Sequence, residues 1–299
     1  MKRLFPVLLG ICIASTLAAQ GQGTGSSSGK PAPLGDVMDA LSEMDRSFET
    51  PDEPLTPEDD YYLGRTVGAQ ILHTYKTYTK DPELVSYLNK ICQALVLNSP
   101  PPFNGYHVGI LDIPVINAFA TPGGHIFLTT GLVECADSED ALAAVIAHEL
   151  AHIQLRHATA IIDDQRLAND LFQSADRVAS IALRNANSQK QDLFNRNISL
   201  MVNTLFKNGF SQDQEFEADV TAVTLLRNAG YDPAALVRML KILEKIQPLR
   251  PGGFNTTHPS PADRLINLKK VVLTGEGSKT HVYREFRFTF FQSRIKQTQ

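Results

Sequence analysis

The chain is 299 residues long, enough for one large domain or two small ones. Its hydrophobic content of 43% and charged content of 20% are typical of a globular protein with a buried core. The formal net charge is -4, from 28 basic and 32 acidic residues, and no run of basic residues occurs, so nothing indicates a nucleic-acid-binding surface.

The N-terminus has the layout of a secretory signal peptide. Two basic residues precede an apolar stretch, residues 4–19, that ends in small residues. We expect cleavage near Ala18 or Ala19, which makes residues 1–19 the signal peptide and predicts a periplasmic or secreted protein. The alternative is a retained membrane anchor, but the apolar stretch is short for a membrane span and a polar, glycine-rich segment follows it.

Residues 20–56 are predicted to be a flexible linker because Gly, Ser and Pro are frequent in them. Residues 57–299 are predicted to form one folded domain. Thr56 followed by Pro57 and two acidic residues is a helix start signal, and apolar residues then recur at helical spacing. A second helix is predicted over 81–97, where a proline-rich run ends it.

Residues 105–130 carry a β-type pattern. Short runs of strand-favouring residues at 106–111, 115–120 and 126–129 predict three strands. Pro122-Gly123-Gly124 predicts a turn between the last two, so we expect a small meander.

Helices are predicted again, with breaks, from Ser138 to about Gln247. Within this part, residues 163–207 are charged but amphipathic, which favours a packed helix; docking to a membrane surface or a partner is the alternative. The tail is predicted to hold a strand, or a strand followed by a helix, at about 282–290. The fold class predicted from these elements is mainly α with a small β-sheet (α+β).

Two cysteines remain once the signal peptide is removed, Cys92 and Cys135. They could form a disulfide in an oxidising compartment or stay as two buried free thiols, and the sequence leaves both alternatives open. Neither belongs to a cluster with metal-ligand spacing, so neither is a candidate ligand.

The sequence feature that points to chemistry is His148-Glu149-Leu150-Ala151-His152. Two histidines four residues apart on a helix lie on the same face, so both imidazoles can bind one zinc ion. Glu149 beside them can act as general base toward a water molecule at the metal. The alternative is a core helix whose histidines are merely hydrogen-bonded, but two histidines and a glutamate at this spacing in an apolar helix favour the metal.

A catalytic zinc usually has a third protein ligand, and one protease class supplies it by extending the motif to HExxHxxGxxH. Here Leu155 stands at the glycine position and Ala158 at the third histidine position. His157 is one residue away from the required spacing. That class is therefore excluded, and the third ligand has to come from elsewhere in the chain.

Glu215, on a helix predicted over 211–227, is the candidate for the third ligand. Asp219 lies one turn further on the same helix face, so it is predicted to accept a hydrogen bond from the far nitrogen of a ligand histidine. The predicted ligand set is thus His148, His152 and Glu215. The alternative for this segment is a solvated acidic helix start, which the helix dipole favours.

Three motifs together resemble the M48 family of zinc peptidases: HELAH at 148–152, EFEAD at 215–219 and NAFATPGGHIF at 117–127. Thr257-His258-Pro259 followed by Arg264 also resembles a segment of the periplasmic members, and the resemblance runs from about residue 57 to 268. It implies a zincin-like metallopeptidase fold with the HExxH active-site helix, a gluzincin-type site with one zinc ion per chain, and peptide-bond hydrolysis with Glu149 as the base.

The resemblance also suggests roles for two further segments. His258 resembles a histidine that lies over the metal in periplasmic members and can cap its open coordination position; the alternative is an ordinary loop histidine. The run Asn117, Ala118, Phe119 and Ala120 resembles an edge strand along which an extended substrate is laid by backbone pairing; otherwise it is a core strand.

This chain differs from other members of the family in two segments. Residues 159–207 are too charged to hold the transmembrane helices that several members carry between the two metal motifs. Residues 269–299 are too few for the C-terminal helical-repeat domain of some periplasmic members. We therefore expect the compact periplasmic type.

The sequence predicts a zinc metalloendopeptidase that hydrolyses misfolded or misassembled envelope proteins, with proteins or peptides as substrates, no nucleic acid, and a further contact with the envelope membrane or an assembly machinery. The alternative is an envelope chaperone or assembly factor with a largely self-capped zinc site. Glu149 argues against it, because a closed structural site needs no base. A zinc hydrolase acting on another bond shares the HExxH motif, but the strand motif favours peptides.

Overall fold

The computed structural model describes residues 56–163 apart from 98, 100 and 103, together with 202, 209–246, 257–258, 260–272 and 282–297. The predicted signal peptide, nearly all of the predicted linker and nearly all of the amphipathic stretch lie outside these residues. Within the described ranges, no helix is both long enough and apolar enough to span a membrane.

The described chain is mainly helical with one small sheet, which confirms the predicted fold class. Its helices are α1 (Pro57–Thr74), α2 (Pro82–Leu95), α3 (Thr130–Cys135), α4 (Glu139–Gln154), α5 (His157–Asp163), α6 (Gln212–Asn228), α7 (Ala235–Ile246), α8 (Pro261–Leu268) and α9 (Val282–Gln297). Its strands are β1 (His107–Leu111), β2 (Ala118–Thr121) and β3 (His125–Thr129).

The predicted helix start signals are confirmed. At α1, the Thr56 hydroxyl accepts a hydrogen bond from the Asp59 amide at 3.2 Å, and the Asp59 carboxylate accepts one from the Thr56 amide at 2.7 Å. This reciprocal pair satisfies two amides that the helix cannot bond internally. At α4, the Ser138 hydroxyl accepts from the Ala141 amide at 3.2 Å.

The sheet has the strand order β1-β3-β2, so the predicted meander is wrong. Strand β3 pairs antiparallel with β2 across the predicted turn, with Phe119 opposite Phe127, but it pairs parallel with β1, with Val108 opposite Ile126. The chain therefore crosses from one edge of the sheet to the other between β1 and β2. Residue patterns predict strands but do not determine which neighbour each one pairs with.

Helix α9 contradicts the prediction of a strand at 282–290. Its aromatic residues favour a strand locally, but Phe288 and Ile295 are buried in the core seven residues apart, which is a helical spacing. Three of its arginines bind buried acids at the starts of α4 and α2: Arg284 with Asp140, Arg287 with Glu139, and Arg294 with Asp81. These long-range contacts stabilise the helix.

Cys92 and Cys135 are free thiols in the structure, which agrees with the second alternative except that Cys135 is only half-buried. Cys92 is fully buried in the core, and burial raises the pKa of its thiol to about 12. A thiol with so high a pKa stays protonated and unreactive at neutral pH.

Helix α4 lies at the centre of the described fold. It packs against α6, α7, α2 and β2, and its residues 139–152 are all buried. This explains why its sequence is apolar on nearly every face. The HExxH histidines and Glu149 are therefore almost completely shielded from solvent.

Helix α1 packs so closely on the Pro122–Gly124 turn that Gly64 has no room for a side chain. A Cβ atom at Gly64 would lie 1.7 Å from the carbonyl oxygen of Pro122. We expect Gly64→Ala to lower the free energy of unfolding by about 1 to 3 kcal/mol, as overpacking does, measured by urea denaturation.

The matched control is Gly68→Ala, one turn later on the same helix. Its added Cβ would lie 3.7 Å from the Phe127 ring, an ordinary contact, so the better helix propensity of alanine should leave stability unchanged or raised by about 0.5 to 1 kcal/mol. Equal stabilities of the two variants would contradict the close packing at Gly64.

Candidate metal centre

The structure brings four buried side chains into one cluster: His148 and His152 from α4, Glu215 from α6, and His258. Each offers one ligand atom, and the four atoms lie within 4.8 Å of one another. The Nε2 atoms of His148 and His152 are 3.1 Å apart. The three residues predicted as ligands from the sequence are all in this cluster.

Glu215 reaches the histidines because α6 packs directly against α4. Its carboxylate oxygens lie 3.3 Å from His148 Nε2 and 3.5 Å from His152 Nε2. A capping box between Ser211 and Gln214 fixes the start of α6, so Glu215 stands in the first turn with its side chain directed at the cluster.

Asp219 lies where the sequence predicted it, at the far nitrogen of a histidine in the cluster. Its Oδ1 is 3.2 Å from His148 Nδ1. The guanidinium of Arg264, which is completely buried, donates from Nε to Asp219 Oδ2 at 2.9 Å, and its Nη1 is 3.4 Å from Glu215 Oε2. Arg264 thus offsets the charge of two buried carboxylates.

His258 sits directly against the cluster. Its Nδ1 is 2.7 Å from Glu215 Oε1, and its ring centre is 5.4 Å from that of His148. This places a third imidazole beside the predicted ligands, on a segment far from them in sequence.

Glu149 is a buried residue next to the cluster. In the part of the chain that the structure describes, no group hydrogen-bonds to Glu149 Oε1. Burial raises the pKa of this carboxyl, and the nearby His258 and His148 offset that effect only in part. A carboxylate with a raised pKa and a free oxygen is well suited to accept and return a proton near neutral pH.

The electrostatics of the cluster suit a cation. Burial lowers the pKa of His152 to about 3, so this imidazole is neutral, as a metal ligand must be. Burial and Arg264 lower the pKa of His148, but its bonds to Asp219 and Glu215 outweigh them and raise it to about 9. The same two carboxylates that attract a proton to His148 would attract a metal ion in its place.

Glu215 is surrounded by groups that favour its ionised form. Burial alone would raise the pKa of this carboxyl, but His258 and the hydrogen bonds of His148 and His152 hold it well below the ordinary value. Imidazole and carboxylate groups gathered in this way are a ligand set for a transition metal such as zinc. The residues therefore fit a bound metal ion.

The sequence did not predict that Arg264 and His157 contact the cluster. Arg264 entered the sequence argument only as part of a resemblance, and His157 was set aside because its spacing does not fit a third ligand. His157 is indeed outside the four-residue cluster, but its Nδ1 lies 2.9 Å from Nδ1 of His152. The only sequence signal for it was its position shortly after the HExxH helix.

The predicted substrate strand is β2, at one edge of the sheet. Among the described strands only β3 pairs with it, and its residues from Ala118 to Ala120 are buried beside α4. Asn117, just before the strand, accepts a hydrogen bond on its Oδ1 from the Thr257 hydroxyl at 3.3 Å. The edge strand and the His258 segment are thus adjacent.

The sequence also matches a known protein family and several of its members. Residues 80–272 match Peptidase family M48. The beta-barrel assembly-enhancing protease of Escherichia coli (strain K12) is 32% identical over 218 residues, which cover 70% of this chain and 42% of that protein. The mitochondrial metalloendopeptidase OMA1 of Schizosaccharomyces pombe is 28% identical over 186 residues, covering 62% and 52%.

A third relative is the metalloprotease LoiP of Escherichia coli (strain K12), 30% identical over 154 residues that cover 52% of this chain and 58% of LoiP. The chain spans less than half the length of the first of these relatives. The family match nevertheless covers well over half of the chain and includes both α4 and α6 with the side chains they bring together. This protein belongs to peptidase family M48.

Proposed function

We propose that this chain is a zinc-dependent endopeptidase with one zinc ion, held by His148, His152 and Glu215, and with Glu149 as general base. The observation that carries the proposal is the buried cluster itself: three ligand atoms of the right chemistry converge next to the Glu149 carboxylate, whose Oε1 has no hydrogen-bond partner among the described residues. Three protein ligands leave a coordination position for water and substrate, as catalytic zinc sites do.

Zinc bound there would supply Lewis-acid chemistry, polarising a peptide carbonyl and acidifying water. Glu149 accepts the proton of the attacking water at Oε1 and then delivers it to the leaving amine. Asp219 accepts a hydrogen bond from His148 Nδ1 and so keeps Nε2 of that ring as the ligand atom.

The substrate would bind as an extended peptide along β2, at Asn117, Ala118, Phe119 and Ala120. Backbone pairing to an edge strand depends little on side chains, so it accepts many sequences. This fits a protease that removes misfolded or misassembled proteins. The signal-peptide pattern and the resemblance to periplasmic M48 members together predict that these are proteins of a bacterial envelope. The name of the beta-barrel assembly-enhancing protease supports a contact with an assembly machinery, and contact with the envelope membrane is proposed from the same predicted location.

One observation favours a second candidate, an envelope chaperone or assembly factor with a self-capped zinc site. His258 belongs to the same four-residue group as the predicted ligands, so four protein ligands could close the site. In that case zinc would be bound without hydrolysis until the His258 segment moves away.

The first test is zinc content and casein hydrolysis of the wild type beside Glu215→Ala. The wild type should bind one zinc per chain and cleave casein in a chelator-sensitive way. The variant should bind zinc at least about 100-fold more weakly and lose hydrolysis, because a ligand matters at least as much as the groups that orient it.

Asp213→Ala is the matched control, since it removes an exposed carboxylate from the same first turn of α6. It should behave as the wild type does. Full zinc occupancy in both the wild type and Glu215→Ala, with no hydrolysis by either, would move the third ligand elsewhere and favour the capped alternative.

A further inference from the structure

His157 is a buried histidine that the proposed reaction does not use, yet it contacts a predicted ligand. It opens α5 directly after Arg156, whose φ of 57° turns the chain sharply at the end of the HExxH helix. This turn brings the ring of His157 back to His152, with their two Nδ1 atoms 2.9 Å apart. That is the distance of a good hydrogen bond.

Only one direction of this hydrogen bond is compatible with a metal at His152. A neutral imidazole carries one N–H donor and one acceptor nitrogen. If His157 donated, His152 would carry its proton on Nε2, the atom that faces Glu215 and the other cluster residues. If His152 donates from Nδ1, its Nε2 is the lone-pair nitrogen that a metal requires.

Glu217, which lies at the opposite edge of the His157 ring, favours donation from His152 to His157. Its Oε2 lies 3.5 Å from His157 Nε2, so the carboxylate attracts the proton of His157 to that nitrogen. The Nδ1 atom of His157 is then left as an acceptor. Glu217 is 61% exposed, so its attraction is weakened by solvent and it acts as a bias rather than a strong ion pair.

The His152 ring is fixed on its face as well as at its edge. Phe210 stacks on it with ring centres 4.1 Å apart and planes 17° from parallel. Packing therefore sets the plane of the His152 ring but not its tautomer, that is, which of its two nitrogens carries the proton. The contact with His157 determines the tautomer.

We propose that His157 is a positioning residue for the metal site: its Nδ1 accepts a hydrogen bond from His152 and so presents His152 Nε2 to the metal. This inference rests on the proposed zinc site. It implies that the two ligand histidines of α4 are oriented differently, His148 by the carboxylate of Asp219 and His152 by an uncharged imidazole. His157 follows His152 by five residues, a spacing that excluded it as a ligand but that allows its ring to contact Nδ1 of His152.

The test compares two substitutions with the same number and branching of side-chain heavy atoms in the full chain, His157→Leu and His157→Asn. Leucine has no acceptor, whereas the Oδ1 of asparagine takes the place of His157 Nδ1 and can accept from His152. We expect His157→Leu to weaken zinc binding by about 10- to 100-fold, and His157→Asn to stay within about threefold of the wild type. The zinc dissociation constant is measured by competition with a chelator of known affinity.

Thermal denaturation of the metal-free proteins controls for folding, since both variants should melt close to one another. Equal zinc affinities of His157→Leu and His157→Asn, whether both unchanged or both weakened, would overturn the hydrogen-bond role. A wild type that binds zinc but hydrolyses nothing would overturn the proposed function and leave this comparison intact. A wild type that binds no zinc would overturn both.

Discussion

Replacing Glu149 with glutamine is expected to lower kcat for peptide hydrolysis by about 10²- to 10⁴-fold while zinc content stays at the wild-type level. Glutamine has nearly the same shape as glutamate, but its amide cannot take the proton of the attacking water. Glu149 is outside the cluster of ligand atoms, so the metal should not depend on it. Casein hydrolysis and zinc content are measured on the same purified samples.

Glu244→Gln on α7 is the matched control, because it makes the same change at an exposed carboxylate. Its kcat should equal that of the wild type. If Glu149→Gln lost zinc together with activity, Glu149 would be a ligand and not the base. Full activity in Glu149→Gln would mean that another group accepts the proton.

Local signals explain what the sequence predicted correctly about the fold. The capping residues at Thr56, Ser138 and Ser211 act within three residues of themselves, so they can be found without knowing the tertiary structure. The apolar lead-in to the HExxH motif likewise indicated a buried helix, which α4 is. These elements depend on short-range chemistry alone.

The errors arose where pairing partners lie far apart. The position of β1 beside β3 depends on a crossover through residues 112–117, and no residue pattern encodes the order of strands in a sheet. Helix α9 contains a run of aromatic residues that favours a strand, but buried acids more than 140 residues away in sequence bind its arginines and stabilise a helix. Tertiary contacts override local propensity in both cases.

The same division holds within the site. His148 and His152 are four residues apart on α4, and Glu215 and Asp219 are four residues apart on α6. In each pair the shared helix face follows from helix geometry. That α4 and α6 lie side by side could be inferred only from the need for a third ligand. Arg264 could not be placed at all, since its partner Asp219 is 45 residues away on another helix.

Arg264→Met is expected to lower the free energy of unfolding of the metal-free protein by about 3 to 5 kcal/mol, measured by urea denaturation in the presence of a chelator. The guanidinium is completely buried and lies between Asp219 and Glu215. Methionine fills a similar volume but leaves two buried carboxylates without their cation. Removing one partner of a buried ion pair costs far more than removing one at the surface.

Lys80→Met is the matched control, because Lys80 pairs with Asp112 and both side chains are exposed, by 47% and 39%. Its cost should stay below about 1 kcal/mol, and equal costs for the two variants would contradict the buried charge balance. Zinc should also stabilise Arg264→Met, since a cation bound to Glu215 restores part of the lost positive charge and a ligand that binds only the folded state stabilises it. The metal and Arg264 would then both neutralise the negative charge of Glu215 and Asp219, the two carboxylates that contact the ligand histidines.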